Sequence, residues 1–272
     1  MRVGMWAGVV DGAIRAKMLG KVFLNVYAVT FHVHAELNDF LPRDQRNTAV
    51  VVSCAGHESI KNLVESLGIP HPEIEALLVN ERPVDFTYML RPDDQVDVYP
   101  VTVLPDTTLV PLRPPLCSSC FVLDAHLGRL AAYLRMLGFD TLYDNAYDDP
   151  FLAQVSHDEG RILLTRDIEL LKRNLVVYGY FVRGTKPSEQ LEEVVRRFHL
   201  RELTVDSFQR CIRCNGLLRQ VEKADISHLL APKTRLYYES FQQCQSCGQI
   251  YWRGSHYARM RLLAEQVLGK GE

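Results

Sequence analysis

No stretch of this chain approaches the roughly eighteen consecutive apolar residues that a membrane-spanning helix needs. An apolar run near the start, Met5 to Val10, is short and is cut by Asp11. Neither a signal peptide nor a membrane anchor is therefore expected, and a cytoplasmic protein is. A GxxxxGK[S/T] phosphate loop is absent, which excludes a P-loop ATPase. Charge of one sign is also lacking, since 31 Lys and Arg stand against 33 Asp and Glu, for a net charge of −2. The balance is uneven along the chain, with 9 basic against 14 acidic residues in 1–110 and 10 against 6 in 206–272. The basic end is the one suited to a polyanion. Cysteine is scarce, at seven in 272 residues, and six of the seven fall in Cys-x-x-Cys pairs. That pattern fits metal binding in a reducing compartment better than a secreted disulfide framework.

Two of these pairs, Cys211-Ile-Arg-Cys214 and Cys244-Gln-Ser-Cys247, are separated by 29 residues. Two short turns that each present a pair of thiolates can surround a tetrahedral zinc without strain, and a four-sulfur shell leaves no open position for a reacting water. Asn215-Gly216 and Gly248 follow the turns and tolerate the positive φ that such turns need. A structural zinc on Cys211, Cys214, Cys244 and Cys247 is expected, in preference to two unrelated redox pairs. The third pair, Cys117-Ser-Ser-Cys120, has no matching partner: it reads either as a metal or redox half-site or, the favoured reading, as two thiols without a joint role.

Residues 1–19 show no clean period and read as an extension. From Lys21 the pattern is strand-like, over Val22 to Val29, Phe31 to Ala35 and Ala49 to Cys54. Ser59 to Leu67 has a helical period with Gly68 as its stop, and Ala76 to Val79 and Gln95 to Val101 close the unit as strands. Leu78-Val-Asn-Glu-Arg-Pro-Val84 and Leu90-Arg-Pro-Asp-Asp-Gln-Val-Asp-Val98 resemble the ubiquitin-like sulfur-carrier family, which implies a β-grasp domain over 20–104. The exposed Gly-Gly end of that family is missing here, and the chain runs on through Pro105, Pro111, Pro114 and Pro115. A protein-interaction role is expected in place of sulfur transfer, with 105–119 as a stiff Pro-rich linker.

After the linker, strand and helix patterns alternate. Phe121 to Leu123 ends on Asp124, a helix stripe runs through Leu127, Leu130, Ala131, Leu134 and Leu137 to Gly138, and the unit then repeats. Strand Asp140 to Tyr143 leads through an acidic loop to helix Pro150 to Val155, and strand Arg161 to Leu164 leads to Thr165-Arg166-Asp167. This is an α/β pattern with a parallel sheet, in which ligands sit beyond the carboxyl ends of the strands. Asp124 and Asp167 fall there, and Asp144, Asp148 and Asp149 feed the same edge. Converging carboxylates repel unless a hard divalent cation neutralises them. Helix capping remains an alternative for Asp148, Asp149 and Asp167, and a turn role for Asp124.

Phe121-Val-Leu-Asp-Ala-His-Leu-Gly-Arg-Leu-Ala-Ala-Tyr-Leu-Arg-Met-Leu-Gly-Phe-Asp140, Asp148-Asp149, Arg161-Ile-Leu-Leu-Thr-Arg-Asp167 and the two Cys-x-x-Cys segments closely resemble the Mut-seven C-terminal RNase family. That resemblance implies a PIN-like nuclease domain over 120–205, a zinc ribbon over 206–272, RNA as partner, and catalysis by magnesium or manganese on Asp124, Asp149 and Asp167. A fourth acidic position is left open among Asp144, Asp148 and Glu169. Arg129, Arg135 and Arg166 are candidates for binding phosphates, with Arg161 beside them. His126 and His256 read as acid/base groups or, the favoured reading, as packing residues. Tyr251, Trp252 and Tyr257 lie among Arg253, Arg259 and Arg261, which suits either base stacking or the core of the ribbon. A non-catalytic RNA-binding adaptor and a ubiquitin-like interaction module are the competing functions.

Overall fold

Short strands and capped helices follow the sequence pattern closely in a computed structural model of the chain, which describes residues 17–19, 22–24, 26–116 and 119–269. Contacts divide the chain into two compact units that meet in sequence at Pro114 and Pro115. Of the N-terminal extension only Lys17–Leu19 is described, as a strand (β1) antiparallel to Val22–Leu24 (β2).

The first unit is a five-stranded sheet with one α-helix. Its elements are β3 (Val26–Val33), β4 (Ala49–Ala55), α1 (Ile60–Ser66), β5 (Ala76–Val79), β6 (Arg82–Val84) and β7 (Gln95–Tyr99), in the sheet order β4-β3-β7-β5-β6. β3 and β7 are parallel and the other pairs antiparallel, which is the ubiquitin-like arrangement. Alternate residues Val29, Phe31 and Val33 of β3 face the core with Ile60, Leu63 and Val64 of α1, as the two-residue strand period requires. The strand-like pattern read as two runs broken at Thr30 is one continuous strand, because Thr30 pairs with Val51 on one side and Gln95 on the other. Positive φ at Asn80 and Glu81 makes the tight turn that turns part of the expected connection into β6. The Pro-rich segment is not a free spacer throughout: Arg113 donates to the carbonyls of Pro72 and Ile74 and pairs with Glu75.

The second unit is an α/β sandwich that carries a small antiparallel sheet. β8 (Phe121–Leu123), α2 (Gly128–Met136), β9 (Thr141–Leu142), α3 (Asp149–Asp158), β10 (Ile162–Thr165), α4 (Ile168–Leu171), β11 (Gly179–Phe181) and α5 (Pro187–Arg197) form a parallel sheet of order β11-β10-β8-β9. Both faces are buried, so the strands are apolar without alternation. Phe121, Leu123, Ile162 and Leu164 pack with Leu130 and Leu134 of α2 and Leu191 and Val194 of α5. Val122 and Leu163 face Leu152 of α3 and Leu170 of α4 on the other side. α1, α2 and α3 all end at a glycine of positive φ, Gly68, Gly138 and Gly160. There the next residue's N–H returns to the third carbonyl from the helix end, from Ile69 to Val64, Phe139 to Leu134 and Arg161 to Ser156.

The chain continues through β12 (Leu218–Val221), α6 (Lys223–Ile226), α7 (Pro232–Tyr237), β13 (Phe241–Cys244), β14 (Ile250–Trp252) and α8 (Ser255–Leu268). The three strands pair antiparallel in the order β12-β13-β14. Ala264, Val267 and Leu268 of α8 return to the core formed by α2 and α5. The cysteine-bearing sheet is thus built into the same unit as the parallel sheet.

Candidate functional site

The strand order fixes where a ligand can sit. From β8 the chain passes to β9 on one side, and from β10 to β11 on the other, so the crossovers diverge between β8 and β10. A crevice opens beyond the carboxyl ends of two strands at such a point. Asp124 directly follows β8, and Asp167 follows β10 by one residue. One buried hydroxyl ties them: Thr165 Oγ1 donates to Asp124 Oδ2 at 2.8 Å and accepts the Asp167 N–H at 2.9 Å. Thr165 is fully buried, and the Asp124 N–H reaches the Leu164 carbonyl at 3.1 Å, so the half-buried Asp124 carboxylate is held by the sheet itself.

The other acidic groups have local duties. Asp167 Oδ1 accepts from the N–H groups of Glu169 and Leu170 and caps α4, whereas Asp124 makes no capping bond. Asp148, not Asp149, caps α3, accepting the Phe151 N–H at 2.9 Å. Asp149 lies 3.6 Å from Arg173 in an ion pair. Asp144 accepts the Ala146 N–H, and Glu169 pairs with Lys172. Asp124, Asp149 and Asp167 do not form a tight cluster: among the described residues, the group of three or more ligating side chains whose donor atoms all come within 4.8 Å is the set of four cysteines.

The expected arginines divide. Arg129 is exposed in the first turn of α2, the helix that begins at this edge. Arg166 is exposed, with Nη1 donating to the carbonyls of Val182, Arg183 and Gly184. Arg135 is a correction. It is 3% exposed, and its guanidinium donates to the carbonyls of Thr141, Tyr143, Ile212 and Arg213 at 2.8 to 3.3 Å. It satisfies the open edge of β9 and the first cysteine turn, and it is not placed to bind phosphate. Arg161 is likewise buried, paired with Asp140 and Glu159. His126 is exposed beside Asp124, and His256 lines a pocket on the small sheet.

The thiolates do come together. Cys211 and Cys247 sulfurs are 3.7 Å apart and those of Cys214 and Cys244 3.4 Å. A zinc tetrahedron with bonds of about 2.3 Å has edges of about 3.8 Å, so the set fits zinc with little adjustment. Burial works against a Cys244 thiolate, but the N–H groups of Cys247 and Ser246 and hydrogen bonds from Cys214 and Cys247 bring its thiol down to about 6. A Cβ at Gly216 would lie 2.4 Å from Ser246 Oγ and 2.9 Å from Cys244 Sγ, so no larger residue fits between the two turns. Tyr251 OH reaches Cys211 Sγ at 3.0 Å. Of the third pair, Cys117 lies outside the described residues.

Asp140 locks this ribbon to the parallel sheet, a role the sequence reading missed. Its carboxylate pairs with Arg161 at 2.7 Å and Arg210 at 3.2 Å and accepts from Asn215 Nδ2, while Asn215 Oδ1 accepts the Thr141 N–H. Burial opposes its charge, but the hydrogen bonds from Arg161 and Asn215 and the charges of Arg161 and Arg210 outweigh it and hold the carboxyl below its ordinary value.

A doubly wound α/β domain with acidic groups at its switch point, a four-thiolate ribbon in the same unit and a ubiquitin-like unit ahead of it define the class. The family model described as the Mut7-C RNAse domain matches residues 119–264, across both sheet and ribbon, and the one described as Mut7-C ubiquitin matches residues 26–104. The chain belongs to the Mut7-C RNAse domain family. No curated protein and no solved structure matches it.

Proposed function

We propose that the chain is a ribonuclease that hydrolyses RNA phosphodiester bonds with a magnesium or manganese ion held at the carboxyl edge of the parallel sheet. The observation that carries this reading is the buried Thr165 hydroxyl, which fixes the Asp124 carboxylate at the switch point and ties it to the Asp167 backbone. The donor set there is all oxygen, which suits a hard cation and not zinc. A cation bound there supplies activation of a water and stabilisation of the charge that develops on the phosphodiester. Asp124 would offer the carboxylate oxygen that Thr165 leaves free, and Asp167 the one that α4 does not use. Asp149, here paired with Arg173, would be the third carboxylate for the cation, and Arg129 and Arg166 would hold substrate phosphates. The zinc ribbon, on the basic part of the chain, adds affinity for RNA.

The ubiquitin-like unit recruits a protein partner. Its last strand runs on into residues held by Arg113, so no carboxyl group is free there for activation. No helix among the described residues is long and apolar enough to cross a membrane, and a cytoplasmic site of action is proposed. A second reading, an RNA-binding adaptor without turnover, is favoured by the Asp149–Arg173 pair and the dispersed carboxylates. Labelled RNA incubated with the purified chain separates them: cleavage when magnesium or manganese is supplied, and none without, supports the ribonuclease. Binding without cleavage under every cation supports the adaptor.

A further inference from the structure

The ribbon carries an open pocket of ≈ 640 Å³, bounded by α7, the β13 and β14 strands and the start of α8. Its volume is in the range of small-molecule sites, about 300–1,000 Å³. Tyr237, Tyr238, Trp252 and Tyr257 are among the aromatic rings of its walls. Core packing does not account for Tyr237 and Trp252, which are 72% and 39% exposed, and α7 buries none of its residues. Tyr238 and Trp252 have centroids 6.2 Å apart and planes inclined by 46°, so the rings are splayed and not stacked on one another. Lys233 and Arg253 also line the pocket, the latter 5.8 Å from the Tyr257 ring centroid, and among the described residues no Asp or Glu does.

Splayed aromatic faces in a concavity with cations at its margin match a ligand that has both a π-face and a flanking negative charge. We infer that the pocket takes one unstacked base of a single-stranded RNA, stacked on Trp252 and Tyr237, with Lys233 and Arg253 on the adjoining phosphates. A duplex keeps its base faces covered and cannot enter. The inference rests on the ribonuclease reading and specifies its substrate as single-stranded.

The chain has two tryptophans, Trp6 and Trp252, so a Trp6→Phe variant reports on the pocket alone. In the full chain carrying Trp6→Phe and Asp124→Asn, a labelled single-stranded oligoribonucleotide should quench Trp252 emission, and the matching duplex should not. Tyr237→Ala should weaken single-strand affinity roughly tenfold with zinc content unchanged, and Lys233→Gln should reduce the dependence of binding on salt. RNA bound without quenching, equal affinity for the duplex, an unaltered affinity in Tyr237→Ala, or quenching by an acidic peptide in place of RNA would each overturn the inference. If Trp252 is quenched but the parent chain never cleaves RNA, the pocket stands and the ribonuclease reading fails. Cleavage with no quenching has the opposite meaning.

Discussion

Replacing Asp140 with Asn tests how the ribbon is joined to the α/β core. The carboxylate sits between Arg161 at 2.7 Å and Arg210 at 3.2 Å, with its side chain 26% exposed. Asn keeps the shape but takes the carboxylate from Arg210, leaves Arg161 with Glu159 alone and places an amide against donors. Breaking a fully buried pair costs about 3–5 kcal/mol; with a quarter of this side chain in water, about 2–3 kcal/mol is expected. Because the chain has two units, a single unfolding curve would mix them. Urea unfolding followed by zinc release to a coloured chelator reports the ribbon-bearing unit alone. With a slope of about 2 kcal/mol per molar, the midpoint should fall by about 1–1.5 M. The pH dependence has a definite sign. Asp140 is held below its ordinary value, so its contribution is complete above about pH 4 and is lost as pH falls through the depressed folded value. In acid unfolding followed by ellipticity, parent and variant should therefore converge only in strong acid. A midpoint shift below about 0.3 M at neutral pH would refute the argument.

Metal analysis should give one zinc per chain, and Cys211→Ser with Cys244→Ser should abolish it. Because α8 and the parallel sheet share a core, that double variant should unfold the whole 115–272 unit at lower temperature, and an unchanged transition would contradict the shared core. Arg135→Met should leave four carbonyls without their donor and destabilise the same unit by about 3 kcal/mol, measured by the same zinc-release curve. Any loss of RNA cleavage in that variant should vanish under conditions where it is fully folded. Thr165→Val removes a hydroxyl that orients Asp124, and such changes typically reduce metal affinity or activity about 10- to 100-fold. Manganese titration of the cleavage rate should show this loss with the zinc content intact.

Much of this was legible from local pattern. Gly68 and Gly138 mark helix ends because only a residue tolerant of positive φ closes those turns. Asp124 and Asp167 announce a strand's carboxyl edge because the first directly follows a run that is apolar on both faces and the second follows such a run after Thr165 and Arg166. Cysteine spacing is legible for a similar reason, since each turn is a local object. Arg135 misled because it lies off the apolar stripe of its helix, where solvent is the default. It is buried by carbonyls of Ile212 and Arg213, more than seventy residues away. Asp148 and Asp149 are adjacent, and only the register of α3 decides which one caps it. Thr165 carried a weak signal, a hydroxyl at the end of a buried apolar strand between two acidic positions. The return of α8 to the core depends on long-range packing that a short periodic segment does not reveal.

In the proposed ribonuclease, Asp124 holds the cation on which cleavage depends. Single-turnover cleavage of labelled single-stranded RNA by parent and Asp124→Asn chains, at saturating manganese and equal zinc content, tests it most directly. Asp124→Asn should lose more activity than the roughly 10- to 100-fold expected for Thr165→Val, with RNA binding retained. Equal cleavage rates in the two chains, or cleavage by the parent that does not depend on a divalent cation, would contradict it.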